Sequence, residues 1–273
     1  MPSISPSTAA GGGLALPLAE IALAAGAAIL ACGDRGVDVA QKADSSPVTE
    51  ADRAAEEIIL AELARRFPDC PAIAEEAAAG GVVPAVEDRF FLVDPLDGTR
   101  EFVAGRGEFT VNIALITAGR PVAGVVYAPA LAVLAVADAE GAWQASLTPD
   151  QPVAEADWQR LATRAIPESG PAAVASRSHR DAETDAFLDT HGISEILSAG
   201  SSLKFILLAR GEADVYPRFG RTMEWDTAAG HAVLSRAGGV VVTTDGAELG
   251  YGKRASGYAN PAFIAWGQRP ESG

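Results

Sequence analysis

Cysteine and histidine are scarce in this chain of 273 residues. It has two cysteines, Cys32 and Cys70, and three histidines. Two cysteines are too few for the disulfide framework of a secreted domain, and no Cys-x-x-Cys motif or Cys/His cluster is present. We therefore expect two free thiols in a reducing compartment. We expect neither a His-rich metal site nor a cysteine nucleophile, because both cysteines lie outside every motif described below.

Positive charge is scarce as well. The chain has 21 Lys and Arg residues against 36 Asp and Glu residues, and its net charge is -15 at pH 7. Binding of DNA or RNA depends on clustered Lys and Arg, so nucleic-acid polymers are excluded as partners. A small phosphorylated substrate remains compatible with this charge, because bound metal ions can invert the local sign of an acidic site.

The apolar segment near the N-terminus lacks the positive flank of a signal peptide. No Lys or Arg precedes it, and Pro17 and Glu20 lie within it. Its larger apolar residues recur at steps of three and four, at Leu14, Leu18, Ile21, Ala25, Ala28 and Cys32. This spacing predicts an amphipathic core helix rather than a membrane anchor. We expect no stable membrane insertion and a cytoplasmic location, with peripheral association at the inner membrane left open.

The remaining pattern indicates two halves. A stretch over 146–170 is rich in Pro, Asp, Glu and Thr, and strands and helices alternate after it. We predict a disordered tail over 1–13, an α+β metal-binding subdomain over 14–150, and an α/β subdomain over 151–273 that completes the active site. The predicted helices are 14–32, 50–66, 182–191, 202–209 and 226–237. The predicted strands are 72–74, 89–93, 109–117, 120–128, 130–137, 141–144, 172–176, 195–198, 214–216 and 240–243.

Four acidic residues fall at the ends of predicted strands or at the start of a predicted helix: Glu75, Asp94, Asp97 and Asp226. Mg²⁺ prefers hard oxygen ligands and uses one or two carboxylates per ion, with water and phosphate oxygens completing the shell. In segment 94–99, which reads Asp-Pro-Leu-Asp-Gly-Thr, the turn would bring both aspartates to one ion. The carbonyl of Leu96 could add a ligand, and the hydroxyl of Thr99 could orient a water.

Each of these segments has a commoner explanation when it stands alone. Asp-Pro and Asp-Gly are frequent turn formers, a Glu-Glu pair is usually a solvated face, and Asp226 could be a helix N-cap. The metal-site prediction therefore depends on all of them occurring together, in this order.

Taken together, these segments resemble the signatures of the inositol monophosphatase superfamily of metal-dependent, lithium-sensitive phosphatases. The likeness is carried by 94–99 and by 225–230 (Trp-Asp-Thr-Ala-Ala-Gly), with the acidic pair at 75–76 upstream. It extends over about residues 18–263. Further matching stretches make the bacterial 3'(2'),5'-bisphosphate nucleotidases of the CysQ type the most similar group: 42–49, 94–112, 176–179, 200–205 and 216–220. Arg100 stands where many relatives have Lys, a departure that touches no ligand position.

The resemblance implies an α/β fold, the αβαβα sandwich of inositol monophosphatases and fructose bisphosphatases. It implies hydrolysis of adenosine 3',5'-bisphosphate (PAP) to AMP and phosphate, with two or three Mg²⁺ ions and inhibition by Li⁺. The implied metal ligands are Glu75, Asp94, the carbonyl of Leu96, Asp97 and Asp226. Thr99 and Glu75 would activate the attacking water, and Asp52 would position them. The implied substrate-binding residues are Gly98, Thr99, His179, Ser201, Lys204, Arg218 and Asp226.

The second phosphate of a nucleoside bisphosphate would lie away from the metals and would need cationic partners. Lys204 and Arg218 are the candidates, since Arg offers a planar fork to phosphate oxygens. Ser201 and Ser202 open a predicted helix, where free backbone N–H groups favour anions. Without the resemblance, an ordinary surface Lys and an ordinary loop Arg would be the simpler interpretations.

Two other functions stay open at this point. An inositol monophosphatase or sugar bisphosphatase would share the metal site, and a catalytically silent nucleotide-binding regulator would share the scaffold. Glu108 and Asn112 are interpreted only as loop and strand structure. The sequence leaves the oligomeric state undetermined.

Overall fold

A computed structural model describes residue 6 and residues 13–34, 39–41, 47–176 and 181–269. The helices are α1 Ala15–Asp34, α2 Glu50–Arg66, α3 Glu75–Ala79, α4 Thr99–Val103, α5 Ala182–Thr190, α6 Leu203–Ala209 and α7 Glu224–Arg236. The first strands are β1 Val39–Gln41, β2 Pro47–Thr49, β3 Ala72–Ala74, β4 Arg89–Asp97, β5 Thr110–Thr117, β6 Arg120–Ala128 and β7 Val133–Asp138. The others are β8 Gly141–Ser146, β9 Gln159–Arg160, β10 Ala172–Ser176, β11 Glu195–Ala199, β12 Val215–Arg218, β13 Val240–Thr243 and β14 Phe263–Trp266. The predicted tail over 1–13 lies outside the described residues, apart from positions 6 and 13.

Two large sheets organise the chain. The first has seven strands in the order β3-β4-β5-β6-β7-β8-β9, and only the β3–β4 pair is parallel. The second has five strands in the order β11-β10-β12-β14-β13, with parallel pairing around β10 and antiparallel pairing around β14. Strands β1 and β2 form a separate antiparallel pair.

The alternation of side chains along β4 shows how the layers stack. Phe91 and Val93 belong to the core shared with α1 and α2, whereas Phe90 and Leu92 face the core shared with α6, α7 and the five-stranded sheet. On the far side of that second sheet, Leu188 of α5 packs against it. The order helix, sheet, helix, sheet, helix is the predicted αβαβα sandwich.

Helix α1 is the only helix among the described residues that is long and apolar enough to cross a membrane, over Ala15–Gly33. More than half of that stretch is buried inside the protein. Leu18, Ile21 and Ala25 are fully buried against the seven-stranded sheet. The predicted apolar stripe therefore faces the core.

Several predicted boundaries are corrected by the structure. Strand β4 continues past the predicted end at 93 to Asp97, because pairing with β5 resumes after an irregularity in the turn. Helix α7 begins at Glu224 rather than at 226, and α6 begins at Leu203 rather than at 202. The seven-stranded sheet also extends to β9, beyond the predicted division at 150. That division into two subdomains stays a prediction.

Candidate active site

The turn at the end of β4 carries the first signature. Asp94 pairs with Asn112 and Asp97 pairs with Thr110, and the ladder is irregular between these pairs. The N–H of Leu96 donates to Asp94 Oδ1 at 3.1 Å, which orients the carboxylate within the turn. Gly98 follows with a φ of 93°, in the left-handed region. A side chain at that position would also collide with the Ser201 hydroxyl. The turn therefore requires glycine there.

The hydroxyl of Thr99 joins this turn to helix α2. Its oxygen lies 3.0 Å from Asp52 Oδ1 and 3.2 Å from the carbonyl oxygen of Leu96. The other Asp52 oxygen accepts from the N–H and the hydroxyl of Thr49, at 2.7 and 2.6 Å. Thr49 in turn caps α2 by accepting from the N–H of Ala51 at 3.1 Å. The buried Asp52 is thus held in one orientation. Because the Thr99 hydroxyl donates its proton to Asp52, the lone pairs of the Thr99 oxygen can accept a hydrogen bond from a water.

The four acidic residues lie close enough to influence one another. Burial raises the pKa of Asp94 well above its usual range, and the negative charges of Glu75, Asp97 and Asp226 raise it further. Removal from water and the charge of Glu75 raise the pKa of Asp97 to about 6, against the opposing effect of Lys204. The pKa of Asp226 is raised by removal from water, by Asp97 and by Glu75. The fold therefore brings together acids that are far apart in the sequence.

Asp226 is not the N-cap of α7, because Met223 holds that position. It is the third residue of α7, and its Oδ2 accepts from the N–H of Met223 at 2.8 Å. One carboxylate oxygen thus holds the start of the helix, and the first turn of α7 fixes the direction in which the acid points.

The donor set fits Mg²⁺ better than a transition metal. Every candidate ligand is an oxygen, from the four acids or from the carbonyl of Leu96, and no cysteine or histidine stands among them. In the part of the chain that the structure describes, no three His, Cys, Asp or Glu side chains converge on one point as ligands of one ion. The support for Mg²⁺ is the type of donor atom, since Mg²⁺ prefers oxygen ligands and completes its shell with water and phosphate oxygens.

Asn112 supports the presence of a polar ligand in this space. Its side chain is buried opposite Asp94, and within the described part of the chain neither its amide nitrogen nor its amide oxygen has a hydrogen-bond partner. A buried amide without partners is costly, and a hydrated ion would supply them. The sequence interpretation as plain strand structure missed this residue. The available signal was a polar side chain in the otherwise apolar run of β5.

Lys204 lies on the other side of Asp97. Its ammonium group donates to the carbonyl of Ser201 at 2.6 Å and lies 5.3 Å from the centre of the Tyr216 ring. Burial, together with the charge of Arg218, lowers the pKa of Lys204 to about 8, while Asp97 opposes the shift. Lys204 is therefore a buried counter-charge to the acids.

The two serines stand directly before α6, with Ser202 as its N-cap residue, but their hydroxyls hold the loop and make no capping bond to the helix. Ser201 has a φ of 48°, and its hydroxyl lies 2.8 Å from the carbonyl of Asp97 and 2.9 Å from that of Glu108. The Ser202 hydroxyl donates to the carbonyl of Asp226 at 2.8 Å. These contacts tie the loop to both signature segments. A role of Ser201 in binding substrate stays a prediction.

Arg218 ends β12 and is half-buried. Its Nη2 donates to the carbonyl of Arg221 at 3.3 Å. Its positive charge lowers the pKa of Lys204 and opposes the upward shift of Asp226. The structure thus places Arg218 near Lys204 and near Asp226. The predicted His179 lies outside the described residues.

Comparison with known proteins gives a consistent result. The model of the inositol monophosphatase family matches residues 16–268. The chain is 45% identical over 246 residues to "3'(2'),5'-bisphosphate nucleotidase CysQ" of Escherichia coli strain K12, covering 89% of this chain and 96% of the relative. The CysQ of Salmonella typhimurium is 44% identical with the same coverage.

Solved structures agree in fold. The crystal structure of CysQ from Bacteroides thetaiotaomicron superposes with a TM-score of 0.76 at 38% identity, covering 93% of this chain and 97% of that chain. An inositol monophosphatase from Thermotoga maritima superposes with a TM-score of 0.71 at 26% identity, covering 91% of this chain and 90% of that one. The similarity spans both predicted halves of the chain.

Proposed function

The chain belongs to the inositol monophosphatase family, and from that premise we propose that it is a Mg²⁺-dependent 3'(2'),5'-bisphosphate nucleotidase. Its reaction is the hydrolysis of PAP to AMP and inorganic phosphate. The observation that carries the proposal is the grouping of Glu75, Asp94, Asp97 and Asp226 beside a Thr99 hydroxyl fixed by Asp52.

The proposed metal ligands are Glu75, Asp94, the carbonyl of Leu96, Asp97 and Asp226, for two or three ions. Bound Mg²⁺ supplies Lewis-acid activation of the attacking water and neutralises charge on the reacting phosphoryl group and leaving oxygen. Thr99 would orient the attacking water by accepting a hydrogen bond from it, Glu75 would accept the proton of that water, and Asp52 holds Thr99 in place. No covalent intermediate on the protein is needed, which agrees with the absence of a cysteine among the site residues.

The substrate is a small nucleotide with two phosphates. Gly98, Thr99 and Asp226 lie at the phosphate to be cleaved, and Lys204 and Arg218 hold the distant phosphate with Ser201 and His179. Nucleic-acid polymers are not partners of so acidic a surface. We propose a cytoplasmic location, with any contact to the inner membrane peripheral, because α1 is part of the core.

The deciding experiment compares substrates in the same Mg²⁺ buffer. Phosphate release is measured from PAP, inositol 1-phosphate and fructose 1,6-bisphosphate, with EDTA as the metal-free control. We expect kcat/KM to be highest for PAP, and about tenfold or more above that for inositol 1-phosphate, because a site built for two phosphates rejects a substrate that leaves its cations unpaired. Faster turnover of the inositol or sugar substrate would replace the nucleotidase assignment. Absence of turnover on all three would favour the silent regulator.

Lithium provides a separate test of the metal arrangement. We expect millimolar Li⁺ to inhibit PAP hydrolysis, with K⁺ at the same concentration as the control for ionic strength. Full activity in Li⁺ would argue against a family-type metal cluster at residues 75, 94, 97 and 226.

A further inference from the structure

A second buried carboxylate on α2 contacts the segment that carries Glu75. The side chain of Glu56 is 8% exposed, one helical turn after Asp52. Its Oε2 accepts from the N–H of Glu76 at 2.8 Å, and its Oε1 accepts from the N–H of Ala77 at 2.9 Å. Both oxygens of the Glu56 carboxylate thus accept hydrogen bonds from backbone N–H groups in the first turn of α3.

These contacts hold α3 in place, because α3 is too short to be a stable helix without contacts to the rest of the protein. It has five residues, and its N-cap residue Ala74 makes no side-chain capping bond. Helices of this length are unstable alone. Hydrogen bonds from backbone N–H groups to an ionised carboxylate are stronger than those between neutral groups. Glu56 therefore determines where the first residue of α3, Glu75, directs its carboxylate.

Asp52 and Glu56 lie on the same face of α2, because they are four residues apart. Asp52 binds Thr99 in the signature turn, and Glu56 binds the backbone of α3. Helix α2 packs against β4 through the main core. One helix face therefore connects the two segments that supply acids from the first half of the chain.

We propose that Glu56 is a positioning residue for the metal site, which sets the distance between Glu75 and the 94–99 turn through α3. The inference rests on the proposed metal site but not on the identity of the substrate. Substitution of a residue that orients a metal ligand commonly weakens metal binding by about tenfold or more.

The test uses Mn²⁺, a paramagnetic substitute for Mg²⁺, titrated into the metal-free protein and followed by electron paramagnetic resonance. Glu56→Gln keeps the size of the side chain but replaces one acceptor oxygen by an amide that cannot accept from an N–H. We expect the Mn²⁺ dissociation constant to rise about tenfold. We also expect kcat at saturating Mg²⁺ to stay below the wild-type value, because Glu75 is also proposed to act on the attacking water.

Glu57→Gln is the matched control, because Glu57 is the next residue on α2 and its side chain is exposed. It should leave Mn²⁺ affinity unchanged. Wild-type Mn²⁺ affinity in a folded Glu56→Gln variant would overturn the inference, as would a loss of thermal stability without a change in affinity. Failure of the wild-type protein to bind Mn²⁺ would instead refute the proposed metal site. If Glu56→Gln weakens Mn²⁺ binding but the wild-type protein does not hydrolyse PAP, only the proposed identity of the substrate would be refuted.

Discussion

At the scale of single residues, the site depends on polar groups whose orientation is fixed by other polar groups. Thr99 shows this most clearly, since its hydroxyl touches Asp52 and the Leu96 carbonyl while its backbone begins α4. The hydroxyl can orient a water only while those contacts hold it. Removing it should therefore affect the chemical step more than binding.

Thr99→Val replaces the hydroxyl with a methyl group of similar size. We expect kcat for PAP hydrolysis to fall by about 100-fold or more, while KM and the Mg²⁺ concentration for half-maximal activity change little. Thr99→Ser should restore most of kcat because it returns the hydroxyl. A Val variant with wild-type kcat would show that the hydroxyl has no part in the reaction.

Arg218 lies among the cations proposed to hold the distant phosphate. Arg218→Gln should raise the KM for PAP by about tenfold to 100-fold, the equivalent of one or two lost charge-assisted hydrogen bonds. The KM for 3'-AMP should stay the same, since that substrate has no second phosphate. Steady-state kinetics at saturating Mg²⁺ would measure both, with Arg221→Gln as the control because Arg221 is exposed and nearby. An equal rise in KM for both substrates would assign Arg218 to the cleaved phosphate instead.

At the scale of elements, α7 combines the second signature with a buried histidine. His231 is 7% exposed, and its Nδ1 lies 3.0 Å from the Tyr251 hydroxyl. Burial lowers the pKa of His231 to about 3, and the positive charges of Arg120 and Lys253 contribute to the shift. The unfolded chain, with an ordinary histidine, binds a proton at a higher pH than the folded chain does. Stability from this group is therefore fully present above pH 6.5 and is lost as the pH falls toward 3.

His231→Gln should remove this pH dependence. Between pH 7 and pH 5, the free energy of unfolding of the wild type should fall by about 2 kcal/mol more than that of the variant. Urea unfolding in EDTA at both pH values would measure the difference. Comparing the two proteins at the same pH cancels the contributions of the other titrating groups to the free energy of unfolding. Parallel pH profiles for the two proteins would mean that His231 titrates normally in the folded state.

The long elements could be predicted from sequence because their apolar periodicity or their caps are local signals. Helix α2 begins at Glu50 and ends at Arg66, as predicted, and Thr49 and Asp52 form a capping box at its start. The short helices α3 and α4, with five residues each, were missed because contacts distant in sequence stabilise them, such as that of Glu56 with α3. Strand β14 was also missed, since four apolar residues give little periodicity.

The same distinction applies to the candidate site. The acids could be predicted because they lie in segments whose pattern is local, such as 94–99. Asn112 and Glu56 could not be, because their importance depends on what the fold places opposite them: Asp94 in one case and α3 in the other. Lys204 was identified, but its contact with the Ser201 carbonyl was not.

At the scale of the whole molecule, the negative net charge and the buried acids of the site both destabilise the metal-free folded state. The chain carries a charge of -15, and in the site Asp94 is buried near the negative charges of Glu75, Asp97 and Asp226. Such self-repulsion destabilises the compact state. Divalent cations that bind only the folded protein should relieve it and stabilise the fold by mass action.

We expect Mg²⁺ at about 100 times its dissociation constant to add about 2.7 kcal/mol to the free energy of unfolding, and so to raise Tm by roughly 5–10 °C. Asp94→Asn should abolish PAP hydrolysis and most of this rise. Its metal-free Tm should equal or exceed that of the metal-free wild type, because the substitution removes a buried charge that its neighbours repel. Calorimetry with EDTA, Mg²⁺ and NaCl at matched ionic strength would separate specific binding from screening. A rise that NaCl reproduces, or that the variant shows in full, would place the stabilising ions outside the carboxylate site.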